Sequence, residues 1–206
     1  MKKIDSSTVT CAIFAGSNGF SIDNMFMSKS LLEIGGKTLL EYTIESVLEL
    51  KLPEVYVFCD DNVDLYERLI SKYKGVKLIV SDNYGSTFDM LQNYISFFDK
   101  YILFLYGNAP RPVRQLKDMI AKDEDILVSG FSKSTKANQI YVNNRFIEPP
   151  YFIKKSLIFD SPAITWMTFF NSNKEKISYY RDLYPNEFNS EKEFEEYKEY
   201  VRRYFY

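Results

Sequence analysis

Residues 9–15, VTCAIFA, constrain the fold more than any other stretch: only Thr10 is polar, and the run is closed by Gly16-Ser17-Asn18-Gly19. A short, nearly continuous apolar run ended by a glycine-bearing turn is the pattern of a strand buried on both faces, and such strands belong to parallel sheets covered by helices on each side. The pattern recurs in VYVFC (55–59), VKLIV (76–80), YILFLY (101–106) and DILVSG (125–130). Between these runs, Leu40, Ile44, Val47 and Leu48 recur at helical spacing after Thr38, with Glu41 in the first turn and Pro53 beyond the end. Further helices are expected over 63–73, 86–98 and 113–122. Five strands alternating with four helices predict an α/β fold, a three-layer α/β/α arrangement around a central mixed, mainly parallel sheet.

After residue 130 the rhythm changes. IYV, Asn143-Asn144 and RFI predict a β-hairpin, because Asn tolerates the positive φ of a two-residue turn, and Pro149-Pro150 are expected to end it. Residues 151–171 show no clear period, and 174–184 are expected to form a short helix. Ser190 reads as the N-cap of a C-terminal helix, with Glu193 completing a capping box and Phe194, Tyr197 and Val201 on the face that packs back on the sheet. The 206 residues suit one domain.

The chain contains no histidine, which excludes His-based acid–base chemistry, Ser-His and Cys-His nucleophile pairs, and His-ligated metals within it. Twenty-six Lys and Arg against 28 Asp and Glu leave a net charge of −2, so the dense positive field that nucleic acid or an anionic membrane requires is missing and neither partner is expected. Cys11 and Cys59 fall inside strand runs, where a free thiol behaves as a small hydrophobe. With no apolar run near the ~20 residues needed to span a bilayer, a reduced, cytoplasmic setting is expected.

In open α/β sheets ligands bind beyond the carboxyl ends of the strands, so the loops after Ala15, Cys59, Val80, Tyr106 and Gly130 are the places to look for chemistry. In the first, Gly16 and Gly19 let backbone N–H groups surround an anion, although such a turn is also common as a plain turn. It lacks the third glycine of a dinucleotide fingerprint and the Gly-Lys-Ser/Thr of a P-loop.

From Met27-Ser28-Lys29-Ser30-Leu31-Leu32-Glu33-Ile34-Gly35-Gly36-Lys37 to Thr38-Leu39-Leu40, the sequence resembles the opening of the MobA-like and sugar-phosphate nucleotidyltransferases, with their Pro-Lys-x-Leu and Gly-Lys-Pro-Leu-Leu segments. Gly85-Ser86-Thr87 is similar to that superfamily's Gly-Thr segment near the base, and Leu105-Tyr106-Gly107-Asn108-Ala109-Pro110 to its Gly-Asp-x-Pro segment. A looser likeness covers the hairpin at 139–147 and Phe188-Asn189-Ser190-Glu191-Lys192-Glu193-Phe194. The resemblance implies a nucleotidyltransferase-like (GT-A/Rossmann-like) fold. In it 9–130 form the nucleotide-binding half and 131–206 the acceptor side.

What the resemblance implies chemically is transfer of a nucleoside monophosphate from a nucleoside triphosphate to a small phosphorylated metabolite such as a sugar phosphate, with release of pyrophosphate and with Mg²⁺ as cofactor. Lys29 matches the lysine that neutralises charge at the α-phosphate. Ala15, Gly16, Ser17, Asn18, Gly19, Ser21, Gly85, Ser86 and Thr87 match nucleotide-binding positions, and Asn108 and Asn189 match metal-ligand positions. Three departures stand out: Ser21 where the superfamily has the loop Arg, Ser28 where it has Pro, and Asn108 where it has the metal-binding Asp. A neutral amide ligand forfeits the charge attraction that holds a hard dication. A nucleotide-binding relative without turnover is therefore an alternative. Asp60-Asp61 hold open another, a metal or ribose site of the glycosyltransferase kind using a nucleotide sugar, against the plainer reading of solvated or helix-capping acids. Arg111, Arg114, Lys133 and Lys136 either reach a phosphate or sit as solvated surface charges.

Overall fold

In the computed structural model, which describes residues 4–16, 19–22, 25–81, 85–131, 140–181 and 188–206, the strands in chain order are β1 (Val9–Phe14), β2 (Gly19–Ile22), β3 (Met25–Ser28), β4 (Glu33–Ile34), β5 (Lys37–Thr38), β6 (Glu54–Cys59), β7 (Val76–Val80), β8 (Tyr101–Tyr106), β9 (Ile126–Phe131), β10 (Ile140–Val142), β11 (Arg145–Lys154) and β12 (Ile177–Arg181). The helices are α1 (Leu39–Leu48), α2 (Val63–Ile70), α3 (Thr87–Asn93), α4 (Val113–Ile120), α5 (Lys155–Phe159), α6 (Trp166–Ser172) and α7 (Glu191–Phe205). The large sheet runs β12-β9-β11-β8-β1-β6-β7, with β10 paired to β11. β1 is parallel to both neighbours, β6 and β8, and only β11 runs against β8 and β9.

β1 is buried along its whole length because its two faces serve different cores. Val9, Cys11 and Ile13 pack with α1, α2 and α4 through Leu40, Ile44, Tyr66, Leu69, Leu116 and Met119. Ala12 and Phe14 face the other way, toward Phe88, Trp166, Phe169 and Phe170 of α3 and α6. Period-2 alternation between two helical layers is the three-layer α/β/α architecture that the apolar strands predict.

Five expectations are corrected. Pro149-Pro150 do not end the hairpin: β11 continues to Lys154, and the prolines fall where the register with β9 shifts between Glu148 and Tyr151, so their missing N–H groups cost the ladder little. Residues 177–181 are a strand parallel to β9, and only Lys174–Lys176 coil as a 3-10 turn. The expected helix 86–98 stops at Asn93 and is followed by a 3-10 turn at Ile95–Phe97. α7 packs on a third core, joining Phe194, Tyr197, Tyr200 and Val201 to Phe20, Leu32, Ile34, Leu39, Tyr42 and Phe188. Its N-cap is Ser190, but Glu193 Oε2 accepts from the N–H of Asn189 at 2.6 Å, so the capping box is incomplete.

The Gly35-Gly36 turn joins β4 to β5 with φ of +62° and +82°, values at which any side chain is strained. Thr38 then caps α1, accepting from the Glu41 N–H while the Glu41 carboxylate accepts from the Thr38 N–H, a complete capping box. The tail of α7 covers this turn: Tyr206 Oη donates to the Ile34 carbonyl at 3.1 Å, beside Tyr42 Oη at 2.7 Å. The Asn143-Asn144 turn holds φ of +50° and +61°, as its sequence predicts.

Candidate active site

β1 is the switch point of the sheet, since the chain leaves it first toward β6 and β7 and then crosses back to β8 on the other side. Beyond its carboxyl end lies a cleft of about 240 Å³, lined by Phe14, Ala15 and Gly16 of β1 and its loop, Phe58 and Cys59 of β6 with Asp60 after it, Tyr106 of β8 with Asn108 after it, Ser28 of β3 with Lys29 and Ser30 after it, and Thr87 and Met90 of α3. Its position is where ligands bind in open α/β sheets. The register sets Phe14 opposite both Phe58 and Tyr106, and the Phe14 and Phe58 rings stack at 4.7 Å, giving the cleft an apolar floor.

The rim is held by hydroxyls. Ser30 Oγ donates to the Ala15 carbonyl at 2.7 Å, Ser28 Oγ reaches it at 3.0 Å, and Tyr66 Oη also donates to it. Ser28 and Ser30 are 2.9 Å apart, and Tyr66 Oη lies 2.9 Å from Ser28 Oγ. One carbonyl has two lone pairs, so the hydroxyls share it and pass the remaining bond among themselves. Burial pushes the Tyr66 phenol up to about 12, which keeps it a donor. Ser28, the residue standing in for a proline, thus fastens the Lys29 segment to the end of β1.

Lys29 is buried to 5 % exposure. Its ammonium donates to Asn189 Oδ1 at 2.9 Å and lies 5.8 Å from the Phe20 ring centre and 5.4 Å from that of Phe188. Asp60 sits across β1 from the β8 loop. Its Oδ1 is buried without a hydrogen-bond partner, and a Cβ on Gly16 would come within 1.9 Å of it, so only glycine allows this approach. Asp61 Oδ1 is likewise buried without a partner. Neither acid caps α2, whose N-cap is Asn62. Burial, together with the Asp60 and Asp61 carboxylates, raises the Cys59 thiol to about 12, so the thiol in the cleft stays protonated and is no nucleophile.

Of the positions singled out by sequence, Ala15, Gly16, Ser28, Lys29, Asp60, Thr87 and Asn108 meet at the cleft. Thr87 Oγ1 also accepts from the Trp166 indole at 2.9 Å. Gly19 and Ser21 lie on the β2–β3 hairpin and do not line it. Ser86 caps α3, accepting from the Asp89 N–H and donating to the Ile164 carbonyl at 2.6 Å, while Gly85 is exposed beside it. Ser17, Asn18, Lys133 and Lys136 lie outside the described residues. Arg114 is exposed, but Arg111 is fully buried and donates to the Pro110 carbonyl at 3.0 Å, which corrects its reading as a surface charge. Tyr197 and Tyr200 donate to the carbonyls of Asn108 and Pro110, tying the same loop to α7.

No family model and no curated protein matches the sequence. Solved structures do. A nucleotidyl transferase from Methanothermobacter superposes with a TM-score of 0.71 at 16% identity, over 96% of this chain and 96% of that one. 4-Diphosphocytidyl-2C-methyl-D-erythritol synthase from Anaerococcus prevotii gives 0.69 at 15% identity, over 97% and 98%. HddC from Yersinia pseudotuberculosis complexed with GMP-PN gives 0.64 at 13% identity, over 84% and 90%. The chain has the nucleotidyltransferase fold.

Within that nucleotidyltransferase fold, the two positions matched to metal ligands do not fit a divalent ion. Asn108 and Asn189 bring no charge, and Asn189 Oδ1 already accepts from an ammonium. Among the described residues, no group of three or more His, Cys, Asp or Glu side chains gathers where it could hold a metal. Hard dications favour charged oxygen ligands, and Asp60 is the carboxylate that lines the cleft.

Proposed function

We propose that the cleft binds a nucleoside triphosphate and that the chain transfers its nucleoside monophosphate to a small phosphorylated acceptor such as a sugar phosphate. An acceptor phosphate oxygen attacks the α-phosphorus, the bond to the bridging α–β oxygen breaks, and its electron pair leaves with pyrophosphate. The attacking oxygen is already ionised, so no general base is needed, which agrees with a chain lacking histidine. The observation that carries the reading is the buried Lys29 at the mouth of the switch-point cleft of a nucleotidyltransferase fold.

In this reading Lys29 balances charge at the α-phosphate, and its burial beside two aromatic rings makes that charge count for more than it would in water. The backbone around Ala15 and Gly16 approaches the phosphates. The apolar floor of Phe14, Phe58 and Met90 suits a base, and the unpartnered Asp60 oxygen suits a ribose hydroxyl, a donor that satisfies it. The similarly folded HddC is complexed with GMP-PN, which supports a nucleotide ligand. The reading takes the chain as one unit, with residues beyond 130 on the acceptor side. The reading sets it in the cytoplasm, in keeping with two free buried thiols.

Pyrophosphate release from each of the four ribonucleoside triphosphates, measured against a panel of sugar phosphates, tests the reaction. Release that depends on one triphosphate and one acceptor supports it. Tight binding of a triphosphate with no release across the panel supports instead a nucleotide-binding relative, the reading favoured by amides at both metal-ligand positions.

A further inference from the structure

We infer that the cleft selects a base bearing a carbonyl oxygen, read by the Thr87 hydroxyl as a donor that Trp166 holds in place. The inference deepens the nucleotide reading above and rests on it. An indole N–H can only donate, so the 2.9 Å bond from Trp166 Nε1 takes one lone pair of Thr87 Oγ1 and leaves the hydroxyl proton for another partner. Among the described residues that hydroxyl makes no second hydrogen bond. Thr87 lines the cleft, where a bound ligand can take the proton, and accepting from the indole polarises the O–H and strengthens it as a donor.

The indole is held on all sides. Trp166 is buried among Phe88, Phe104, Tyr151 and Phe170, with ring centres 4.8–5.4 Å away. The segment leading to it is pinned to α3, since Gln92 Nε2 donates to the Ile158 and Ser161 carbonyls at 3.1 and 2.9 Å and Ser86 Oγ to that of Ile164 at 2.6 Å. A hydroxyl fixed in this way presents its proton, whereas a freely turning one offers a lone pair as readily and discriminates less. Trp166 acts through Thr87 and is a positioning residue.

The ligand atom follows from place and polarity. Met90 stands three residues after Thr87 on α3, on the same helix face, and shares the apolar floor with Phe14 and Phe58. A base lying on that floor brings its edge to Thr87. The exocyclic carbonyl of uracil, cytosine or guanine, with two lone pairs and a broad angular tolerance, suits a fixed donor. Adenine has no carbonyl, and its exocyclic amine would set a donor against a donor. Asp60, the carboxylate of the same cleft, has the opposite polarity: it accepts from groups such as ribose hydroxyls and offers nothing to a carbonyl.

Isothermal titration of the full chain with ATP, GTP, CTP and UTP in millimolar Mg²⁺ tests this. In the wild type the tightest of GTP, CTP and UTP is expected to bind about tenfold or more tightly than ATP. Thr87→Val keeps the side-chain shape without the hydroxyl and should bring the two dissociation constants within about threefold, while Thr87→Ser restores the gap. Trp166→Phe keeps a ring in the aromatic cluster without the N–H and should narrow the gap by weakening the carbonyl-bearing nucleotide. The ratio of affinities is read because a general loss of stability leaves it unmoved, and if Trp166→Phe does not fold, the two Thr87 variants carry the test. ATP bound as tightly as the others by the wild type, a full gap kept by Thr87→Val or by folded Trp166→Phe, or Thr87→Ser behaving as Thr87→Val overturns the inference and leaves the nucleotide reading standing. Absence of binding by all four triphosphates overturns the two together.

Discussion

The Gly35-Gly36 turn with the start of α1 and the rim of the cleft answer to different physics, although Lys29 of the rim stands only six residues before the turn. In the turn, two positive φ values and a capping box fix the backbone from residues adjacent in sequence. At the rim, Gly16, Lys29, Asp60, Asn108 and Asn189 come from five separate segments, brought within reach by strand order and by α7. Around the turn the polar groups are satisfied, Thr38 and Glu41 by each other and the Ile34 carbonyl by Tyr42 and Tyr206. The rim keeps a buried carboxylate oxygen without a partner, an arrangement that costs stability and has a use if a donor binds there. A motif can therefore specify the fold while saying little about the chemistry.

Substitutions can break or sharpen that contrast. The largest effect is expected from Lys29→Met, which should lower pyrophosphate release on the order of a hundredfold or more while circular dichroism shows an intact fold. Gly36→Ala should do the reverse. No atom would meet the added methyl, so the cost is the positive φ alone, about 1–2 kcal/mol in urea denaturation, with triphosphate affinity unchanged.

A smaller change should follow Asp60→Ala. Triphosphate affinity is expected to fall by about fivefold, whereas thermal stability holds or rises, because a buried oxygen without a partner is removed. Loss of stability without loss of affinity would assign Asp60 to the scaffold and erase its contrast with the turn.

The smallest effect concerns pH. Burial pushes the Glu41 carboxyl up, but hydrogen bonds from the Thr38 N–H and hydroxyl and from Lys72 outweigh it and hold it below the ordinary carboxylate range. A folded value below the unfolded one contributes stability that is present above the unfolded value and is lost as pH falls through the folded value. Urea midpoints of Glu41→Gln should therefore lie below wild type at pH 7 and converge with it as pH falls through the lowered folded value.

The three-layer fold was legible because its information is local: apolar runs on β1, β6, β7 and β8 mark strands buried on both faces, and the periodicity after Thr38 marks α1. What escaped depends on distant partners. Ile177–Arg181 become a strand only by pairing with β9, some 50 residues earlier. Pro149-Pro150 are tolerated in β11 only because the register shifts there. At the site, sequence brought out Lys29, Asn108 and Asn189 through the motif they interrupt. It could not show that Asn189 binds Lys29, nor that one of the two adjacent acids faces Gly16 without a partner. The burial of Arg111 escaped because a charge is expected outside, and the Pro110 carbonyl that accepts from it also accepts from Tyr200 of α7, a partner ninety residues on.

Hydrogen–deuterium exchange of the protein alone and with the triphosphate that binds tests the central claim, that the cleft beyond β1, β6 and β8 is the nucleotide site. The account predicts slowed exchange in residues 14–16, 28–32, 58–61 and 106–109, with the Gly35-Gly36 turn unchanged. Protection confined to other segments, with these four unaltered at saturating nucleotide, would contradict it.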